Sequence, residues 1–212
     1  MEKITKQQIP VLTARLVEFQ EKFAPMSKED AQWVIQNSQE AIKLFIEALE
    51  SRNKGGKQKN ILSLLSEKLI IPSLPAGWTT IVRAKEIFRS FIDSDFKNWG
   101  LDKEQDVSEE TEVKVYELKQ DANFSQMFNS LNTDLEKLCL TQSQIIYFCE
   151  RHSENLRQDG YATFFLFKEN NEFFVAGVGV GSGGLGVRVY RFEGGGVWRA
   201  ECAHRLVVPA TI

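Results

Sequence analysis

Cysteine and histidine are scarce in this chain, three of the first and two of the second among 212 residues. An odd number of thiols (Cys139, Cys149, Cys202) in a chain long enough to bury a core argues against a disulfide framework and for reduced cysteines. Positive charge is not in excess: the formal net charge is −3, so the global positive field that most phosphate-backbone binders use is lacking and only a local basic patch stays open. No apolar run is long enough to span a bilayer. Met1-Glu2-Lys3-Ile4-Thr5-Lys6 lacks the charged, then apolar, then small-residue order of a secretory signal. The expectation is cytoplasmic residence without a membrane partner. A phosphate-cradling loop is also missing, because Gly177-Val178-Gly179-Val180-Gly181 has neither the Lys-Ser/Thr pair nor the strand-loop-helix setting of a P-loop.

What is present is an ordinary globular composition, 42% hydrophobic and 26% charged, in a length that suits one large domain or two small ones. Leu12, Leu16, Phe19 and Phe23 fall on one face at 3.6 residues per turn and predict a first helix between Pro10 and Pro25. Ser27-Lys28-Glu29-Asp30 resembles a capping box and predicts a second helix, with the stripe Ala31, Val34, Ile35, Ala41, Ile42, Phe45, Ile46 and Leu49 wide enough to bury against the first as an antiparallel hairpin. Residues 52–60 combine Gly55-Gly56 with Arg52, Lys54, Lys57 and Lys59 and contain no acid, which reads as a flexible basic linker.

The middle of the chain is expected to be mainly helical. An apolar piece at 61–71 runs into the Pro72 and Pro75 breakers, and Ile81, Ala84, Phe88 and Phe91 again match a helical face that ends near Asp93. Residues 102–112 carry six acids and one lysine without an apolar period, the pattern of a solvated loop. Residues 113–118 suit a short isolated strand and 124–131 a short helix.

From Thr141 the signals sharpen. Thr141-Gln142-Ser143-Gln144 is a capping-box pattern that opens a helix with Ile145, Cys149, His152 and Leu156 on one face, closed by Gly160. Ten of the fourteen glycines lie from Gly160 onward and punctuate strand-like runs at 161–167, 173–180, 185–192 and 197–203, joined by hairpin-length connections. The fold class predicted is therefore α+β, a helical N-terminal half followed by a helix packed on a four-stranded antiparallel β-meander. Its divisions are a helical hairpin (1–51), the basic linker (52–60), a mainly helical region with an acidic loop (61–140) and the helix with its meander (141–212).

The stretch Asp159-Gly160-Tyr161-Ala162-Thr163-Phe164-Phe165-Leu166-Phe167, with Phe173-Phe174-Val175-Ala176 and the terminal His204-Arg205-Leu206-Val207-Val208-Pro209, resembles a group of uncharacterised proteins of candidate-phyla bacteria. The likeness covers about the last third of the chain. It implies a bacterial, intracellular setting and carries over no functional residue.

Both histidines have a cysteine nearby. Cys149 and His152 are i,i+3 on the predicted helix, and Cys202 and His204 are i,i+2 on the predicted last strand, so each pair shares a face. If that helix covers that sheet, the four converge as a tetrahedral Cys₂His₂ site suited to structural zinc, or a cysteine and a histidine form a thiolate and its base. The plainer reading is that these are core residues, since cysteine is among the most buried types and C-x-H on a strand is not a common zinc-ligand spacing. Gly177, Gly179 and Gly181 form a strip without side chains on one strand face, which either admits an aromatic or a helix of the same chain or leaves a shallow groove for a peptide or small ligand. The segment 160–167 superficially resembles the aromatic strand of RNA-recognition motifs, but Thr163 is an insertion relative to it and the βαββαβ order is missing.

With no acid/base pair or cofactor loop in view, the leading expectation is a non-enzymatic intracellular interaction protein that binds another protein through the helical hairpin or the glycine strip, or that self-associates. The alternatives are nucleic-acid binding through Arg52, Lys54, Lys57 and Lys59, and a zinc or thiol site in the C-terminal unit.

Overall fold

The computed structural model describes residues 27–43, 61–194 and 196–210. By internal contacts the chain divides into two units, 1–56 and 57–212. In the first, helix α1 (Lys28–Gln36) starts where expected, with the Ala31 amide donating to the Ser27 carbonyl at 2.9 Å, and the chain is helical again at 38–43. The stripe residues Val34, Ile35 and Ile42 are exposed rather than buried, because no described residue covers them. The first predicted helix (Leu12 to Phe23), the side chain of Asp30 and the basic linker lie outside the described residues.

The second unit is built on one mixed seven-stranded sheet in the order β1-β3-β7-β4-β5-β6-β2. The strands are β1 (Leu62–Ile71), β2 (Phe91–Ile92), β3 (Thr111–Leu118), β4 (Ala162–Glu169), β5 (Glu172–Gly181), β6 (Gly184–Arg191) and β7 (Arg205–Pro209). β4 runs parallel to β7 and β2 parallel to β6, and the other neighbours are antiparallel. This overturns the expected helical half followed by a four-stranded antiparallel meander.

Three of the four hairpin-linked runs are strands in the predicted order, β4, β5 and β6. The fourth is not. Trp198 makes an isolated bridge to Ala122, Ala200–Cys202 form a 3-10 turn, and Ala203 takes a left-handed φ of 48°. That reversal sends the chain past the hairpins into β7, which inserts between β3 and β4. The apolar piece at 61–71 is an edge strand whose register slips twice against β3, with Lys68 at φ 66°. Such irregularities break the two-residue alternation by which a strand is recognised.

The second correction concerns layers. Thr163 to Phe167 are all buried, and neighbours on β4 serve opposite cores: Phe165 and Phe167 join one cluster, Phe164 and Leu166 the other. A continuous apolar run of this kind belongs to a sheet covered on both faces. One face is covered by helix α4 (Gln142–Arg151), whose Phe148 meets Phe165 edge-on at 5.5 Å, and by the irregular segment from Leu74 to Leu101. That segment includes the one-turn helix α2 (Asp95–Asn98). The other face is covered by helix α3 (Phe124–Asn129) and a 3-10 turn at Leu135–Leu138.

Helix α4 begins as its sequence predicts. Thr141 Oγ1 accepts from the Gln144 amide at 3.1 Å, and Gln144 Oε1 accepts from the Thr141 amide at 2.9 Å, so two orphan amides are satisfied reciprocally. The helix stops at Arg151, earlier than the Gly160 stop predicted. Ile81, Ala84 and Phe88 are buried with helical spacing but form separate turns, and Phe91 has left them to pair with β6. Gln142, fully buried, ties the two covering pieces together: its Nε2 donates to the Leu101 carbonyl at 2.6 Å and its Oε1 accepts from the Ile81 amide at 3.1 Å. Irregular backbone can be buried here because a side chain supplies the partners that a helix or ladder would have supplied. No described helix is long and apolar enough to cross a membrane.

Candidate binding groove

The structure does not bring the predicted cysteine and histidine pairs together. Cys149 is buried in the core on the α4 face, and burial pushes its thiol far above the ordinary range. His152, at the end of α4, has its Nε2 3.0 Å from the Ile70 carbonyl on the edge strand. His204 lies against the opposite face, packed on Phe164 and Trp198, and Cys202 is near it on the 3-10 turn. The sheet therefore separates the two pairs, because β7 enters beside β4 from the far side of the hairpins rather than continuing the ribbon. Among the described residues no three metal-ligating side chains gather. The third thiol, Cys139, donates to the Leu135 carbonyl at 3.3 Å and is raised to about 12 by burial, so it is no nucleophile at neutral pH. Arg52, Lys54, Lys57 and Lys59 lie outside the described residues.

What the fold does assemble is a groove of about 570 Å³ over the ends of β4, β5 and β6 that α3 leaves uncovered. Its floor is glycine from two strands: Gly177, Gly179 and Gly181 on β5, and Gly184 and Gly186 on β6. Strand alternation puts Leu185, Val187 and Val189 into the core below and leaves Gly186, Arg188 and Tyr190 facing the groove. The walls are aromatic and cationic. Phe91 from β2, Tyr161 before β4 and Trp198 stand around the floor with Arg188 and Arg199, and no Asp or Glu is among the lining residues. Phe91, Tyr161 and Val197 are exposed large hydrophobic residues, here gathered on one rim.

The floor glycines are not equivalent. A methyl at Gly177 would meet the Tyr190 ring at 2.9 Å, and one at Gly186 would meet Phe91 Cβ at 3.4 Å, so these two glycines admit an aromatic of the same chain. Gly179 and Gly181 have no such reason. A Cβ at Gly179 would meet only the Gly160 carbonyl oxygen, at 3.6 Å, and one at Gly181 only the Gly184 carbonyl oxygen, at 3.9 Å, and neither residue needs positive φ. A glycine in a strand interior costs roughly 0.5–1 kcal/mol relative to alanine. At Gly179, inside β5, the protein's own packing does not account for it; Gly181 is the last residue of the strand, where the chain enters the turn to β6.

His204 is the deepest polar side chain in the groove, 5% exposed, ringed by Tyr161, Phe164 and Trp198. Its Nδ1 stands 3.2 Å from the Ala162 amide and 3.3 Å from the Ala162 carbonyl, so the backbone of that residue engages this nitrogen in either tautomer, and no described residue is a hydrogen-bond partner of Nε2. Burial lowers its pKa from the ordinary 6.5, the charge of Arg157 adds to this, and the Ala162 carbonyl at 3.3 Å opposes it. Because the folded protein disfavours the charged ring, this term of stability is fully present above the unfolded value of 6.5 and is lost as pH falls from there towards the lower folded value. The midpoint of urea unfolding is expected to drop between about pH 7.5 and about pH 5.5, and to drop less in His204→Asn, whose amide oxygen can still accept from Ala162. Equal slopes in the two proteins would show that His204 takes up its proton without cost.

The groove was half legible. The glycine strip on β5 is visible as a bare alternation, and the same alternation on β6, with Gly184, Gly186, Arg188 and Tyr190 in one phase, was the signal that would have added the charged wall. Trp198 and Phe91 carry no such signal, since they reach the groove by an isolated bridge and by a two-residue strand. Comparison with family models, curated proteins and solved structures finds no match to this chain.

Proposed function

We propose that this is a non-enzymatic binding protein whose glycine-floored groove takes a segment of another protein. The observation that carries the reading is the pair Gly179 and Gly181, bare in ordinary strand conformation with room for a side chain and with exposed aromatics beside them. A flat strand surface without side chains lets a ligand backbone or ring approach closely, and hydrophobic rims around a few polar groups are the usual make-up of a binding cleft. A catalytic reading finds less support. Cys202 and His204 both line the groove, yet no hydrogen bond joins them among the described residues, Nδ1 of the histidine is engaged by backbone, and no carboxylate lies in the lining to orient a base.

The test is selection of peptides from a random displayed library on the full chain, followed by titration of the selected peptides against the wild type and Gly179→Val. Valine suits a strand, and its Cβ meets nothing closer than 3.6 Å, so the fold is expected to be kept while the floor is filled. Binding should weaken by about tenfold or more, equivalent to about 1.4 kcal/mol, at an unchanged melting temperature. A library that yields no peptide, or peptides bound equally by both proteins, would refute the reading.

A further inference from the structure

We infer that the segment taken by the groove is acidic, its carboxylates meeting Arg188 and Arg199 while an apolar side chain rests on the bare floor at Gly179 and Gly181. This rests on the groove being a peptide site and adds the chemistry of the peptide. The argument is charge complementarity at a built surface. Arg188 is exposed and forms no ion pair among the described residues; its guanidinium lies over the Phe91 ring, 5.2 Å from the centroid. Gly186, the partner of Phe91 in the parallel pairing, adds no side chain beside that ring. A guanidinium resting over an aromatic face loses less freedom on pairing with a carboxylate than a mobile lysine would.

Arg199 comes from the Trp198 segment and among the described residues is paired only with Glu201, at 3.2 Å, with both side chains more than two-thirds exposed. An ion pair this open is worth little and yields readily to a ligand. Arg157 stands behind the wall, bonded to the Cys202 carbonyl at 3.0 Å and over the Tyr161 ring, with Asp159 at 3.4 Å. The His204 ring lines the groove beside them. The lining thus holds two arginines and no acid, in a chain whose net charge is −3. Two lining arginines match a peptide with one or two carboxylates. A nucleic-acid strand needs a longer series of phosphate contacts for its affinity.

The experiment uses the selected peptides, labelled with fluorescein and titrated into the full chain by fluorescence polarisation. In one arm each Asp or Glu of the peptide is replaced by its amide; in the second the protein carries Arg188→Gln or Arg188→Lys; in the third a single-stranded oligothymidylate competes with the peptide. Replacing the acids, or Arg188 by glutamine, is expected to weaken binding by about tenfold, with lysine restoring only part of it because it keeps the charge but not the fork. Arg188 is exposed, so the melting temperature should not move. Selected peptides without acidic residues, an affinity unchanged within about twofold in Arg188→Gln, or displacement by the oligonucleotide at lower concentration than by unlabelled peptide would each overturn the acidic assignment and leave the groove as a peptide or phosphate site of other chemistry. A library that yields no peptide overturns the groove reading itself, so the two failures are told apart.

Discussion

Replacing Phe164 by alanine is expected to destabilise the C-terminal unit by about 3–5 kcal/mol, the range found for truncating a buried aromatic. Phe164 has no exposed surface and meets Phe124 of α3 edge-on at 5.1 Å, Trp198 at 4.6 Å and His204 at 5.3 Å. Three parts of the fold that are remote in sequence therefore converge on one ring: the helix that covers this face, the bridge that holds the groove wall, and the start of β7. The ring also lies 3.4 Å from where a Cβ of Gly177 would be, so its loss opens space directly below the groove floor. A cavity next to open groove admits water more readily than one sealed in the core, and this places the expected cost towards the lower end of the range. Urea unfolding monitored by tryptophan fluorescence measures it, as a lower midpoint at constant slope. A loss below about 1 kcal/mol would mean that α3 and Trp198 are not docked on Phe164. By contrast Tyr161→Ala, on the exposed rim, should change stability by less than about 1 kcal/mol while reducing binding.

Replacing Gln142 by leucine should cost about 2–5 kcal/mol, although the side chain added is apolar and the site is buried. The reason is what remains. Without the amide, the Ile81 N–H and the Leu101 C=O both lose a partner in a place closed to water, and each orphaned group costs about 1–3 kcal/mol. Gln142→Glu keeps the shape but sets an acceptor against the Leu101 carbonyl, so it is expected to be no better at neutral pH. Hydrogen exchange at Ile81 provides the local check, since that amide donates to the Gln142 side chain and should lose its protection first in the variant. If Gln142→Leu unfolds at the wild-type midpoint, the segment before α2 does not depend on this tether.

What was legible in the residues is what is local. The reciprocal bonds at Thr141 and Gln144 follow from a four-residue pattern, and the β4-β5-β6 hairpins from glycine and asparagine at short spacing, whereas the capping box that opens the helix at Phe124 was not read. The misreadings all concern elements that need a distant partner. Leu62–Ile71 reads as an apolar piece of no clear period because its bulges shift the alternation, and it is a strand only because Thr111–Leu118 pairs with it. Thr111–Leu118 looks isolated because its other neighbour, Arg205–Pro209, follows some ninety residues later. The alternation from Trp198 to Leu206 suggested one straight strand, yet a single left-handed residue, Ala203, breaks it and turns Cys202 and His204 away from Cys149 and His152.

By itself the amino-acid order determined the β4-β5-β6 turns, the start of α4, and the presence of a strip without side chains on β5. Each depends on backbone preferences and on hydrogen bonds between residues a few positions apart. Only the tertiary structure decided that β7 lies between β3 and β4, that the thiols and imidazoles end on opposite faces of the sheet, and that aromatic and arginine side chains from four separate segments stand around the glycines. Those outcomes depend on which distant surfaces exclude water together, and burial of apolar area has no direction along the chain from which it could be read in advance.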